Sequence, residues 1–257
     1  MSVKRAAIFL VAGQGKRMAG LTAAFPKCLL SVGDVTVIDM LLQPMLQDEN
    51  REIVIVTGYQ SSAVEAWLKT RYPAFQLRFV HNSEYLSDVN ILSVELGVNA
   101  LTFPERGYTI IETDVLLDPR VWPIIHQAEN TRQSFWLTHG RYSPSLTGGI
   151  VEVTGLSGEI GRIAYAPNYD AMFNGWYKMV GMLSVGPYQV SADRMLRAQA
   201  LCAGYGQYYM VPWITHRAQL PCVAVDISGY YGRSFNSPQE YQLAVDDYQQ
   251  ISAYVKC

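Results

Sequence analysis

The chain is expected to fold as an α/β protein: a mixed, mostly parallel central sheet flanked by helices, with a smaller mixed-strand lobe in its second half. Three observations carry this expectation. Apolar, strand-like runs alternate with helical patterns through the first half. That rhythm breaks near residue 134 into short runs separated by turn residues. The first apolar run also empties into a turn carrying two glycines and two cations.

The elements follow in order. Ala6 to Val11 has the length and composition of a buried strand. A helix is expected over about 36–47, a strand over 53–57, a helix over about 61–71 and a strand over 76–80. A helix over about 90–100 and a strand over 108–113 complete the first half. This is the order of a doubly wound, Rossmann-like sheet, whose ligands sit at the carboxyl ends of its strands. Gly13, Gly58 and Asp114 all fall at such ends and should share one crevice. In the second half Ser134–Thr138, Gly149–Val153, Gly158–Ala164, Tyr177–Val185 and Cys222–Ile227 read as strands. Helices are expected over about 190–204 and 238–255.

Composition bounds the function. No linker, repeat or low-complexity stretch divides the 257 residues, so one domain is expected over 1–257, with halves at 1–130 and 131–257. Nearly half of the residues are hydrophobic and only 16% are charged, which excludes a disordered chain. A net charge of −2 argues against a nucleic-acid surface, which carries a basic excess. No apolar run reaches 18 residues and no signal peptide stands out, so no membrane role and a cytoplasmic location are expected. Cys28, Cys202, Cys222 and Cys257 lack metal-ligand spacing and read as free thiols.

The chemistry concentrates in Leu10-Val11-Ala12-Gly13-Gln14-Gly15-Lys16-Arg17-Met18 and, nine residues after Arg17, in Pro26-Lys27. A strand ending in a glycine-rich loop can aim successive backbone N–H groups at a phosphate chain. Lys16, Arg17 and Lys27 would neutralise it. Other phosphate motifs fit less well. A dinucleotide fingerprint needs a third glycine where Met18 stands, and a P-loop needs Gly-Lys-Ser/Thr where Gly15-Lys16-Arg17 stands. Asp114 ends an apolar strand with Glu112 on the same face, a setting that suits Mg²⁺; capping a short helix is the alternative. Asp118, before Pro119, is taken as a helix cap. Gln14 and Thr57-Gly58-Tyr59 are placed to meet a base. Asn82 and Asn90 offer donor and acceptor edges, or serve as turn and helix caps.

Together these segments resemble the nucleotidyltransferase superfamily that activates sugar phosphates and choline phosphate, with its L-x-A-G-x-G-x-R-M…P-K-x-L-L signature. Ile53 to Tyr59 looks like the family's second strand and turn. His81-Asn82-Ser83-Glu84-Tyr85 with Asn90-Ile91-Leu92-Ser93 is similar to the N-x-x-Y…N-x-x-S element of its choline-phosphate cytidylyltransferase branch. Thr109 to Leu116 resembles the strand ending in its metal-binding aspartate. The first 120 residues match closely and the rest only in outline. The resemblance implies a GT-A-like fold, with residues 1–130 binding nucleotide and 131–257 binding the acceptor. It implies catalysis by Lys27 with Arg17 and Lys16, and nucleotide contacts from Leu10, Ala12, Gly13, Gln14, Gly15, Thr57, Gly58, Tyr59, Asn82, Asn90 and Ser93. It also implies Mg²⁺ on Asp114. The family's second metal aspartate corresponds to Asn236 here, leaving Asn236 or Asp226 to complete the set.

For the acceptor, an aromatic cage would suit choline. Trp136, Trp176, Tyr177, Tyr209 and Trp213 are candidates, yet Tyr208 to Trp213 lacks the acid that the related enzymes carry near a proline. Arg141, Arg162 and Lys178 could instead receive a second anionic group, which would suit a small phosphonate carrying a carboxylate, or an aminoalkylphosphonate, as acceptor. The implied activity is transfer of CMP from CTP to a small phosphate or phosphonate, releasing pyrophosphate. The alternatives are a sugar-1-phosphate nucleotidyltransferase using another triphosphate, or a nucleotide-binding regulator whose metal site is degraded. A homodimer is left open.

Overall fold

The computed structural model of the protein describes residues 5–18, 20–48 and 50–255. β1 (Ala6–Val11) leads through α1 (Leu21–Ala24) and a small hairpin, β2 (Ser31–Val32) with β3 (Val35–Thr36), into α2 (Val37–Leu46). β4 (Ile53–Thr57), α3 (Ser61–Arg71), β5 (Leu77–His81), α4 (Ile91–Asn99) and β6 (Tyr108–Glu112) follow. The second half runs β7 (Val115–Leu117), α5 (Trp122–Asn130), β8 (Ser134–Arg141), β9 (Gly148–Thr154), β10 (Glu159–Ala166) and β11 (Tyr177–Val185). It closes with α6 (Val190–Leu201), α7 (Val211–Thr215), β12 (Cys222–Asp226), β13 (Gly232–Ser234) and α8 (Pro238–Val255).

Nine strands form one sheet in the order β5-β4-β1-β6-β11-β8-β12-β10-β9. The first four are parallel, as their alternation with helices requires. β11 then joins β6 antiparallel, and among the second-half pairings only β12 with β8 is parallel. The sheet is therefore mixed, with its contiguous parallel block in the first half. β9 also pairs with the start of β11, at Tyr177↔Val151 and Lys178↔Ile150, so the far edge curls back toward the middle.

Period-two alternation along β1 sends Ala7, Phe9 and Val11 into one core and Ala6 and Ile8 into the other. Each large apolar side chain so buried contributes about 1.5–3 kcal/mol. α2 covers the first face. Thr36 Oγ1 accepts from Asp39 N–H at 3.3 Å and Asp39 Oδ2 accepts from Thr36 N–H at 3.0 Å, a capping box that fixes where the helix starts. α4 covers the second so closely that a Cβ on Gly97 would lie 2.5 Å from Ile8 Cγ2.

The expected first-half strands and helices form at or near their expected bounds. α5 and α7 were not foreseen; both are short and open on a proline in the first turn. Neither was the ribbon of β7 with β13, which carries Phe235 and Asn236 to the end of β6. Asp118 is the cap expected of it, accepting from Arg120 N–H at 2.8 Å. Cys28, Cys202 and Cys222 are free thiols, and Cys257 lies outside the described residues. Among the described residues no helix is long and apolar enough to cross a membrane.

Candidate active site

A crevice of about 1010 Å³ opens at the carboxyl ends of β1 and β6, with β11 forming its floor. The loop after β1 lines one wall, so Leu10, Ala12, Gly13, Gln14, Gly15, Lys16 and Arg17 all border the crevice, as does Lys27. Gly15 sits at φ +63°, a conformation that glycine adopts without strain, and Met18 N–H donates to its carbonyl at 2.7 Å. Met18, in the place of a third glycine, is fully buried and pins the loop to the core. Lys16 and Arg17 remain exposed at the lip.

Lys27 reaches in from the second turn. Its Nζ lies 3.1 Å from Asp114 Oδ2, 3.3 Å from Asn236 Oδ1 and 4.9 Å from the centre of the Phe235 ring. Arg17 Nη2 donates to the same Asn236 oxygen at 2.8 Å. Residues separated by up to 219 positions thus meet around one point.

Deeper in, Glu112 and Asp114 share a face of the β6 end, with Lys178 of β11 opposite. Burial, reinforced by the Asp114 charge, lifts the Glu112 carboxyl to about 7 against the opposing pull of Lys178 and Lys27. Burial lowers Lys178, while Glu112 and Asp114 hold it up. Burial, then the charges of Glu112 and Asp114, push the Tyr209 hydroxyl well above its ordinary range. Tyr165 and Tyr208 complete this end, with hydroxyls 3.0 Å apart and ring centres at 4.7 Å.

Asp114 Oδ1 is buried and has no hydrogen-bond partner. With Glu112 beside it, the donors are hard carboxylate oxygens. They fit a Mg²⁺ that takes one or two carboxylates and completes its shell from water and substrate phosphates. Among the described residues, no three His, Cys, Asp or Glu side chains form a self-sufficient cage. The Asn236 oxygen, the other expected ligand, accepts from Arg17 and Lys27.

Other expected site residues lie elsewhere. Thr57 is fully buried, and Gly58 packs against Ala12 and Tyr85, where a Cβ would meet Tyr85 Cβ at 2.7 Å. Tyr59 donates its N–H to Ala12 O at 2.9 Å and its hydroxyl to Thr22 O, so this turn buttresses the first loop from behind. Asn82 is buried, donating to Asp88 Oδ2 and Ser93 Oγ and accepting from Glu84 N–H. It takes the turn reading. Asn90 and Ser93 border the crevice, but Asn90 Oδ1 accepts from Tyr209 N–H at 2.8 Å, and Ser93 donates to Asp88.

On the acceptor side Lys178, Trp136 and Tyr209 of the expected set border the crevice. Arg141 lies outside it, with its guanidinium 3.8 Å from the centre of the Tyr177 ring, and Tyr177 faces the same way. Trp213 is a core residue whose Nε1 donates to the buried Asp193 at 2.8 Å. Trp176 is buried beneath Arg162, which is paired with Glu152 at 2.6 Å. Asp226 accepts from Ser228 N–H and from Thr138 Oγ1 of β8, away from the crevice.

Sequence reasoning passed over Asp88, Tyr165, Tyr208 and Glu240. Asp88 was findable: its carboxylate accepts the Leu92 and Ser93 N–H groups at the start of α4, a cap just before an apolar helical run. Tyr165 and Tyr208 were indistinguishable among seventeen tyrosines.

The family model for nucleotidyl transferase matches residues 6–167. A curated relative, 2-aminoethylphosphonate cytidylyltransferase of Lancefieldella rimae, is 35% identical over 161 residues. The match covers 62% of this chain and 61% of that protein's length. The CTP:phosphocholine cytidylyltransferase of Streptococcus pneumoniae superposes with a TM-score of 0.79 at 19% identity, covering 96% of this chain and all of that one. The inositol-1-phosphate CTP transferase of T. maritima does so with a TM-score of 0.71 at 14% identity, covering 93% and 91%. At those identities the two structures testify to fold alone.

Proposed function

The chain belongs to the nucleotidyl transferase family and is an enzyme of that class; on that premise we propose that it moves CMP from CTP to a small aminoalkylphosphonate and releases pyrophosphate. The observation that carries this reading is a carboxylate, Glu112, set among Tyr209, Tyr208 and Lys178 directly behind the Lys27–Asp114 pair. An acceptor that puts a phosphonate at the pair and an ammonium at Glu112 spans that arrangement. The 35% identical relative named for such an acceptor supports it.

In this mechanism a phosphonate oxygen, already anionic, attacks the α-phosphorus, so no protein nucleophile is needed. The P–O bond to the β-phosphate breaks as the new one forms, and pyrophosphate leaves. Lys27 neutralises charge gathering on the α-phosphoryl group, and Arg17 and Lys16 hold the outer phosphates. Lys178 steadies the incoming phosphonate. Asp114 would hold Mg²⁺, which when bound supplies further neutralisation of phosphate oxygens. Leu10 to Gly15 support the nucleotide along the first wall, with Asn90 and Ser93 facing the base end.

The test is pyrophosphate release with CTP and four acceptors: 2-aminoethylphosphonate, phosphoethanolamine, phosphocholine and glucose 1-phosphate. The aminoalkylphosphonate should give the highest kcat/KM. Preference for glucose 1-phosphate would overturn the acceptor, and preference for phosphocholine would overturn the role of Glu112 as a partner for a hydrogen-bonding ammonium.

A further inference from the structure

Arg17 and Lys27 come from different turns of the first loop region, yet both donate to Asn236 Oδ1, at 2.8 and 3.3 Å. The amide that receives them is itself held. Its backbone N–H donates to Glu240 Oε2 at 2.6 Å, and the neighbouring Phe235 N–H donates to Asp114 O at 2.9 Å. Ser237 and Glu240 cap α8 reciprocally, with Glu240 N–H donating to Ser237 Oγ at 3.2 Å and Ser237 N–H to Glu240 Oε2 at the same distance. Phe235 is fully buried under Lys27. Asn236 is therefore a fixed acceptor tied to the strand end that bears Asp114.

The kind of acceptor matters. A carboxylate at this position would close an alternating ring with Arg17, Lys27 and Asp114, in which every positive charge is cancelled. An amide orders the same two side chains and, with Lys27 paired to Asp114, leaves one of their two positive charges uncancelled. We propose that Asn236 is a positioning residue that presents Arg17 and Lys27 to a polyphosphate with a net positive charge, so that binding depends less on divalent metal than it would with an aspartate there. This rests on reading the crevice as the triphosphate site.

The experiment is calorimetric titration of the intact protein with inorganic tripolyphosphate, first in EDTA and then with Mg²⁺, for wild type, Asn236→Asp and Asn236→Ala. In EDTA the wild type should bind, and Asn236→Asp should bind at least about tenfold more weakly, a modest fraction of one unscreened charge contact. Mg²⁺ should improve affinity by a larger factor in Asn236→Asp than in wild type. Asn236→Ala, which adds no charge but frees both cations, should also bind more weakly in EDTA. Wild-type affinity in EDTA for either variant would overturn the proposal, as would an equal gain from Mg²⁺ in wild type and Asn236→Asp. No binding by the wild type under either condition would instead overturn the triphosphate reading beneath it.

Discussion

The same central strands carry a charge cluster at each end, and the two clusters are built to opposite specifications. At the amino end Glu129 is buried with both carboxylate oxygens taken. Arg51 pairs with it at 2.7 Å, Thr109 donates to it at 2.6 Å, and the His126 ring nitrogen lies at 3.4 Å. Arg51 also donates to Arg5 O, and Arg5 to Ser184 Oγ, so only the two guanidinium Nε atoms lack partners. Burial alone would raise Glu129, but hydrogen bonds from His126 and Arg51 and the Arg51 charge bring it down to about 2. At the carboxyl end Asp114 keeps one buried oxygen unpartnered and Glu112 rises to about 7. A buried carboxylate that is saturated holds the fold together; one left short of partners is prepared for a ligand.

The contrast can be broken first at its saturated end. Glu129→Ala should cost about 3–5 kcal/mol, because it leaves Arg51 buried and unpaired. For a chain of this size that lowers the melting midpoint by roughly 6–20 °C. Turnover of the folded enzyme should not change, and a large loss of turnover would place Glu129 in the chemistry. Acid should act on the same group. Because its folded value lies below the ordinary 4.5, it stabilises the fold above that pH, and the contribution is lost as pH falls toward about 2. Denaturant titrations across that window should show the loss in wild type and not in Glu129→Ala.

At the carboxyl end the effects should reverse. Lys27→Ala should reduce turnover at least about a hundredfold, within the 2.7–4 kcal/mol lost with a transition-state hydrogen-bond donor, while the midpoint stays near wild type. Near-normal turnover would sink the assignment. Glu112→Gln should raise the KM for an ammonium-bearing acceptor by about tenfold, the lower end of a charged hydrogen bond, and leave the KM for CTP alone. The smallest effect is expected at Arg141→Ala. This side chain covers Tyr177 outside the crevice, so acceptor KM should not move and stability should change by about 0.5 kcal/mol or less.

Much of this contrast was legible in the chain, and unevenly so. Local pattern revealed the parallel strands, because β1, β4 and β6 are continuous apolar runs, and it located Gly15, Lys27 and Asp114 at turns and strand ends. It also revealed that Glu112 and Asp114 share a face. The amino-end cluster left no local trace: Arg5, Arg51, Thr109 and Glu129 look like ordinary surface residues until the sheet brings them together. The aromatic side chains misled for a related reason. Trp213 and Trp176 have the chemistry of a cage, and only packing reveals that they are core while Tyr165 and Tyr208 border the crevice. Thr57 and Asn82 carry good base-reading groups, but neighbouring donors and acceptors already consume them.

The most direct test of the central claim is thermal unfolding with CTP, UTP, GTP, ATP and dTTP, each with and without Mg²⁺. A ligand at about 100 times its dissociation constant adds roughly 2.7 kcal/mol, which should raise the midpoint by about 5–10 °C. The account predicts that rise for CTP above all others, present in wild type and lost in Lys27→Ala. An equal or larger rise with another nucleotide, or none with any of the five, would contradict it.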